Sequence, residues 1–184
     1  MSGLAMLAEQ VGVSERTLRR ATNEGTLRAR RPSPRKLEMG LAEREYVRRN
    51  WSLLSALREA LRTEPNVRFA LLFGSTAVGT DTLDSDIDVL VDLRDASFER
   101  LVDLGTKLKE ILGRYVDLVE LEEAQSDQAF MAHVVAEGRV LVDREDLWTV
   151  LHARQAGLRR QAGREESRRL RAALAGIDRL LVSS

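Results

Sequence analysis

Apolar residues follow two different periodicities along this chain, and the change between them falls near residue 66. Before it, the spacing is helical. Leu4 to Gln10 reads as a short apolar helix ended by Gly12, and Ser14 is placed to cap a second helix reaching about Asn23. That second helix carries Arg16, Thr17, Arg19 and Arg20 on its polar side, and Gly25 closes it. Thr26 to Arg31 alternates like a short strand, and Pro32-Ser33-Pro34 is expected to break it. Leu37 to about Arg49 reads as helical again. A further helix, Ser52 to Arg62, has Leu53, Leu54, Leu57 and Leu61 on one face.

After the turn Glu64-Pro65-Asn66 the pattern switches to strands alternating with helices. Strands are expected at Val67–Phe73, Asp86–Leu93, Tyr115–Leu121 and Val140–Val142, and helices at Phe98–Leu112 and Asp127–Glu137. From Glu145 to about Leu181 the spacing predicts one long or two consecutive helices, with Leu147, Val150, Leu151 and Leu158 in the first half. Leu170, Leu174, Ile177 and Leu181 follow in the second half, beside Arg168, Arg169, Arg171 and Arg179, a face suited to a partner or a second copy of the chain. The expected architecture is an α/β domain behind a small helical head, divided as residues 1–51, 52–150 and 151–184.

Charge sharpens this division. The chain has no net charge, yet residues 1–66 hold 13 Lys/Arg against 8 Asp/Glu, residues 67–150 hold 8 against 18, and residues 151–184 hold 8 against 3. Basic ends suit a polyanion and an acidic middle suits bound cations. With no cysteine, disulfides, thiolate metal sites and a thiol nucleophile are excluded. The chain shows neither a basic start followed by an apolar run nor a stretch long enough to span a bilayer. A cytoplasmic protein without membrane contact is expected.

The chemistry concentrates between residues 72 and 91. An apolar strand ends at Phe73, Gly74-Ser75 follows, and ten residues later comes Asp86-Ile87-Asp88-Val89-Leu90-Val91. Glycine lets backbone N–H groups approach a ligand closely, and a short helix starting at Ser75 would point its positive end at a phosphate. Asp86 and Asp88, two apart on a strand, project from one face, where their repulsion calls for a cation such as Mg²⁺. Asp117, between Val116 and Leu118 on the next strand, is placed to add a third carboxylate. His133 and His152 have no partner pattern, and Asp81, Asp84 and Asp92 read as loop or edge residues.

Together Gly74, Ser75, Asp86, Asp88 and Asp117 resemble the minimal nucleotidyltransferases of the DNA polymerase beta superfamily, over roughly residues 53–150. The words Ser85-Asp86-Ile87-Asp88, Val116-Asp117-Leu118-Val119 and Glu137-Gly138-Arg139-Val140-Leu141 carry the same likeness. It implies an α/β (α+β) domain with a mixed sheet and transfer of a nucleotide from a nucleoside triphosphate such as ATP, with two metal ions. Asp86, Asp88 and Asp117 would be the catalytic metal ligands, and Gly74 and Ser75 would bind the nucleotide. One departure is Val78, where many members of that family have Arg.

The head's Leu7–Arg20 segment resembles the helix-turn-helix of bacterial regulators. That likeness puts Ser14, Arg16, Thr17 and Arg20 against DNA bases or phosphates, and Arg28, Arg30 and Arg31 on its backbone. Minimal nucleotidyltransferases of this size often serve as the antitoxin of a helical HEPN-type toxin, to which they add AMP. Two other readings stay open: a DNA-binding regulator whose nucleotide domain is weak or inactive, and transfer of AMP to an antibiotic hydroxyl.

Overall fold

The computed structural model describes residues 3–33, 36–154, 157 and 163. Among the described residues, seven complete helices and a hairpin precede and flank a four-stranded sheet. In the head, α1 (Gly3–Gln10) and α2 (Glu15–Asn23) are joined by a turn in which Gly12 takes φ +71°. Ser14 caps α2 as expected, its hydroxyl accepting from Thr17 N at 3.1 Å. Strands β1 (Arg30–Ser33) and β2 (Lys36–Glu38) then form an antiparallel hairpin leading into α3 (Leu41–Arg62).

The remaining elements are β3 (Val67–Phe73), α4 (Gly74–Val78), β4 (Ile87–Leu93), α5 (Phe98–Leu112), β5 (Val116–Glu120), α6 (Leu121–Ala124), α7 (Gln128–Glu137) and β6 (Arg139–Asp143). The sheet order is β5-β4-β3-β6, with β4 and β5 parallel and the other pairs antiparallel, a mixed sheet. A helix starts at residue 147, its first turn capped by the Asp143 carboxylate, which accepts from Leu147 N and Trp148 N, both at 2.9 Å. Among the described residues no helix is long and apolar enough to cross a membrane.

Both faces of the sheet are covered, which is why β3 is almost wholly apolar. On one face Ile87, Val89 and Val91 pack with Leu54, Leu57 and Leu61 of α3 and Leu104 and Leu108 of α5. On the other, Phe69, Leu71, Phe73 and Leu90 meet Met131, Val134 and Val135 of α7 and Leu121 of α6.

Three sequence expectations change. The two helices expected on either side of residue 50 are one 22-residue helix, so a boundary between residues 51 and 52 falls inside α3. Asn50 and Trp51 interrupt the leucine face, but the Asn50 side-chain amide donates back to the Tyr46 carbonyl at 3.0 Å and Trp51 is buried. Second, the head strand lies at 30–33 and not 26–31, and it passes through Pro32. A two-stranded ribbon has open edges, where a missing N–H costs no ladder bond. Third, β4 begins at Ile87, leaving Asp86 just ahead of it.

The head also shares its core with the sheet: Leu4, Leu7, Leu18 and Leu27 belong to the same buried cluster as Leu57, Val67 and Ile87. It covers the free edge of β6 as well. Val140 N donates to the Gly25 carbonyl at 3.1 Å, and the Thr26 hydroxyl to the Val140 carbonyl at 2.6 Å. The arginine-rich face expected around residues 168–179 lies outside the described residues.

Candidate active site

Asp88 shares its face of β4 with Leu90, so its carboxyl stands at the end of the core that α7 covers. Strand pairing brings its neighbours in. Asp88 is aligned with Phe73 of β3 on one side and with Asp117 of β5 on the other. Gly74 follows Phe73 directly, at φ +69°, and a Cβ there would run into the Asp88 carboxylate. Glycine is required twice at that position, for the left-handed backbone and for the close approach. Asp86 and Asp117 are exposed and Asp88 is half-buried. Partial burial, then the charges of Asp117 and Asp86, push the Asp88 carboxyl above the usual aspartate range. Of the other acids near the segment, Asp92 is engaged by Arg68 at 2.6 Å and Asp81 by Arg114 at 2.9 Å, while Asp84 is exposed.

The helix beginning with Gly74-Ser75 is only five residues long and its carbonyls are held by side chains from elsewhere. The Tyr46 hydroxyl donates to the Thr76 carbonyl at 3.1 Å, Arg139 Nε to the Ala77 carbonyl at 2.6 Å, and Arg49 Nη2 to the Gly79 carbonyl at 2.9 Å. Arg139 is 1% exposed. It makes a bidentate pair with Glu43 at 2.6 and 2.9 Å, donates to the Thr26 carbonyl at 3.3 Å, and lies 3.5 Å from the Tyr46 ring centroid. Burial pushes the Tyr46 phenol up to about 12, so it remains a donor. Tyr46 and Glu43 were not singled out from sequence, and Arg139 was noted only within the Glu137–Leu141 word, without its structural role. The available signal was a lone arginine before Val140-Leu141-Val142, where a buried charge demands a partner.

Among the described residues no group of three His, Asp or Glu side chains encloses a point where a metal ion could sit. Mg²⁺ does not require such a cage, since it is commonly bound by one or two carboxylates together with substrate phosphates and water. The donor set fits that pattern. Its oxygens are hard ligands, and a cation would relieve the repulsion from Asp117 and Asp86 that, after burial, raises Asp88. A groove of about 420 Å³ opens beside Asp117 between α5 and β5. Val78 is 38% exposed and brings no charge to α4.

In the head, Ser14, Arg16, Thr17, Arg20, Arg30 and Arg31 are all exposed on α2 and the hairpin. Two of these are tethered: Arg20 to Glu24 at 2.7 Å, and Arg31 to Asn23. The Arg28 guanidinium donates to the Glu137 carbonyl, tying head to α7. His133 lies on the surface 3.5 Å from Glu137, and the His152 ring lies against Trp148, tilted by 50° with centroids 5.3 Å apart.

Residues 55–147 match the polymerase beta nucleotidyltransferase family. Protein adenylyltransferase MntA of Thermococcus cleftensis is 39% identical over 69 residues, covering 37% of this chain and 70% of the relative. A protein of Methanocaldococcus jannaschii with the provisional name of a protein adenylyltransferase is 37% identical over 79 residues, 41% of this chain and 78% of the relative. The fold is also that of a chain in a toxin–antitoxin crystal structure with AMP-PNP, at 24% identity and TM-score 0.54, covering 66% of this chain and 98% of that one. A chain of the MntA–HepT toxin–antitoxin structure is similar at 21% identity and TM-score 0.51, covering 67% and 98%. With half of its length matched, and with Gly74, Asp88 and Asp117 side by side at the sheet end, this chain belongs to the polymerase beta nucleotidyltransferase family.

Proposed function

We propose that this chain transfers AMP from ATP to a side-chain hydroxyl of a partner protein, with Asp86, Asp88 and Asp117 as the carboxylates that hold Mg²⁺. The observation that carries this reading is the alignment of Asp88 with Asp117, with Gly74 packed against the Asp88 carboxylate. Bound Mg²⁺ supplies charge neutralisation on the triphosphate and lowers the pKa of the attacking hydroxyl. Ser75 and the backbone at Gly74 bind the outer phosphates. Asp117 accepts the hydroxyl proton. The new bond joins the acceptor oxygen to the α-phosphorus, the bond from that phosphorus to the bridging oxygen breaks, and pyrophosphate leaves.

The protein adenylyltransferase relatives and the fold's likeness to chains in toxin–antitoxin complexes support a HEPN-type toxin as the partner. The exposed α2 face and hairpin support DNA binding by the head through Ser14, Arg16, Thr17, Arg20, Arg30 and Arg31, with Arg28 occupied in tethering. Such a head suits control of the pair's own promoter.

The test incubates the protein with Mg²⁺, labelled ATP and a HEPN partner. Label enters the partner, and Asp86→Ala and Asp88→Ala abolish it. No transfer and no pyrophosphate under any condition overturns the enzyme. Val78 favours one second reading, a regulator that binds nucleotide without turning it over. In that case ATP binds and no pyrophosphate forms.

A further inference from the structure

The two residues that flank Asp86 in sequence are both held by consecutive residues of the turn between α5 and β5. On one side, Arg114 Nε and Nη2 donate to the Ser85 carbonyl at 3.1 and 2.6 Å. On the other, Ile87 N donates to the Tyr115 carbonyl at 3.0 Å. The third donor of Arg114, Nη1, reaches the Asp81 carboxylate at 2.9 Å, and both side chains are largely buried, 17% and 10% exposed. Between Asp81 and Ser85 the loop closes on itself. Ser85 N donates to the Thr82 carbonyl at 3.2 Å, and Thr82 N to the Ser85 hydroxyl at 3.0 Å.

Asp86 itself lies ahead of β4, exposed, where no ladder bond of its own fixes its backbone. Arginine suits this task because its planar fork presents donors in fixed directions to two acceptors at once. We infer that Arg114 is a positioning residue for Asp86: by fixing the Ser85 carbonyl and the Asp81 side chain to the turn that leads into β5, it sets the aim of the Asp86 carboxylate relative to Asp88 and Asp117. The inference rests on the reading of these three acids as a metal site. Arg114 acts through the loop and touches neither substrate nor metal. Since Arg114 and Asp117 lie three residues apart, the clamp references one carboxylate to the strand that bears another.

The test is Mn²⁺ binding to the intact protein in the presence of a non-hydrolysable ATP analogue, followed by electron paramagnetic resonance, with thermal unfolding measured in parallel. Removing a residue that orients a metal ligand costs about 10–100-fold in metal affinity. Arg114→Gln is expected to weaken Mn²⁺ binding within that range while its metal-free unfolding temperature stays close to the parent's. Arg114→Lys, which can still meet one acceptor, is expected to fall between the two. Arg114→Gln or Arg114→Lys binding Mn²⁺ as tightly as the parent overturns the inference, and if Arg114→Gln does not fold, Arg114→Lys decides alone. The two readings fail distinguishably. If neither the parent nor Asp88→Asn binds Mn²⁺, the metal site is refuted. If the parent binds it, Asp88→Asn loses it and Arg114→Gln keeps it, only the role of Arg114 falls.

Discussion

Replacing Arg139 by Met removes one side chain from four partners: the Glu43 carboxylate, the carbonyls of Ala77 and Thr26, and the Tyr46 ring. What it leaves matters most. Glu43 is 8% exposed and, among the described residues, keeps the Arg28 backbone N–H, at 2.9 Å, as its one remaining donor. Breaking a buried ion pair from one side costs about 3–5 kcal/mol. Against a total stability of roughly 5–15 kcal/mol for a folded domain, Arg139→Met is expected to sit near the edge of unfolding. Pairing it with Glu43→Leu removes the stranded charge and is expected to restore part of the loss. The Ala77 and Thr26 carbonyls stay unpaired in both variants, each at a cost of about 1–3 kcal/mol. Urea unfolding followed by the fluorescence of Trp51 and Trp148 gives all three values. A single mutant within about 1 kcal/mol of the parent, below the range expected for a stranded buried charge, refutes the reasoning. So does a double mutant no more stable than the single.

The other expectations are more local. Gly74→Ala forces a methyl group into the Asp88 carboxylate at a strained backbone, so nucleotidyl transfer should fall by orders of magnitude; near-parental activity would contradict the packing described. The raised Asp88 carboxyl makes the folded, metal-free protein hold a proton more tightly than the unfolded chain does. Stability from this group is therefore greatest below the ordinary aspartate pKa and declines as pH rises through the raised value. Asp88→Asn in EDTA should raise the unfolding temperature at pH 7 and leave it unchanged well below that window; a lower value at pH 7 would contradict this sign. For the head, filter binding to promoter DNA should weaken steeply with salt and be lost in Arg16→Ala/Arg20→Ala, and binding insensitive to both would exclude a groove contact by α2.

The parts of the fold that sequence revealed are those where one local rule decides. Val67–Phe73 and Phe98–Leu112 were placed residue for residue, because an apolar run and an amphipathic period are local signals. Gly74-Ser75 and Asp86-x-Asp88 were legible for the same reason. The alignment of Asp88 beside Asp117 is set by strand register and cannot be read from spacing alone. Long-range bonds hid the remainder. The head read as a separate unit, yet Thr26 bonds to Val140 and Arg139 to Glu43, 114 and 96 residues apart in sequence. Arg114 gave no local sign of its contacts, since Asp81 read as a loop residue, Ser85 only as part of the Asp86-x-Asp88 word, and the two lie 33 and 29 residues away from it.

Because the reaction proposed cleaves between the α- and β-phosphorus atoms, the position of a radiolabel on ATP tests it most directly. The protein, Mg²⁺ and a HEPN partner are incubated in parallel with ATP labelled at the α- or the γ-phosphate. Label from the α-position is expected in the partner, label from the γ-position in released pyrophosphate, and neither in reactions with Asp86→Ala or Asp88→Ala. Transfer of the γ-label, or α-label transfer that survives both substitutions, would contradict nucleotidyl transfer at this site.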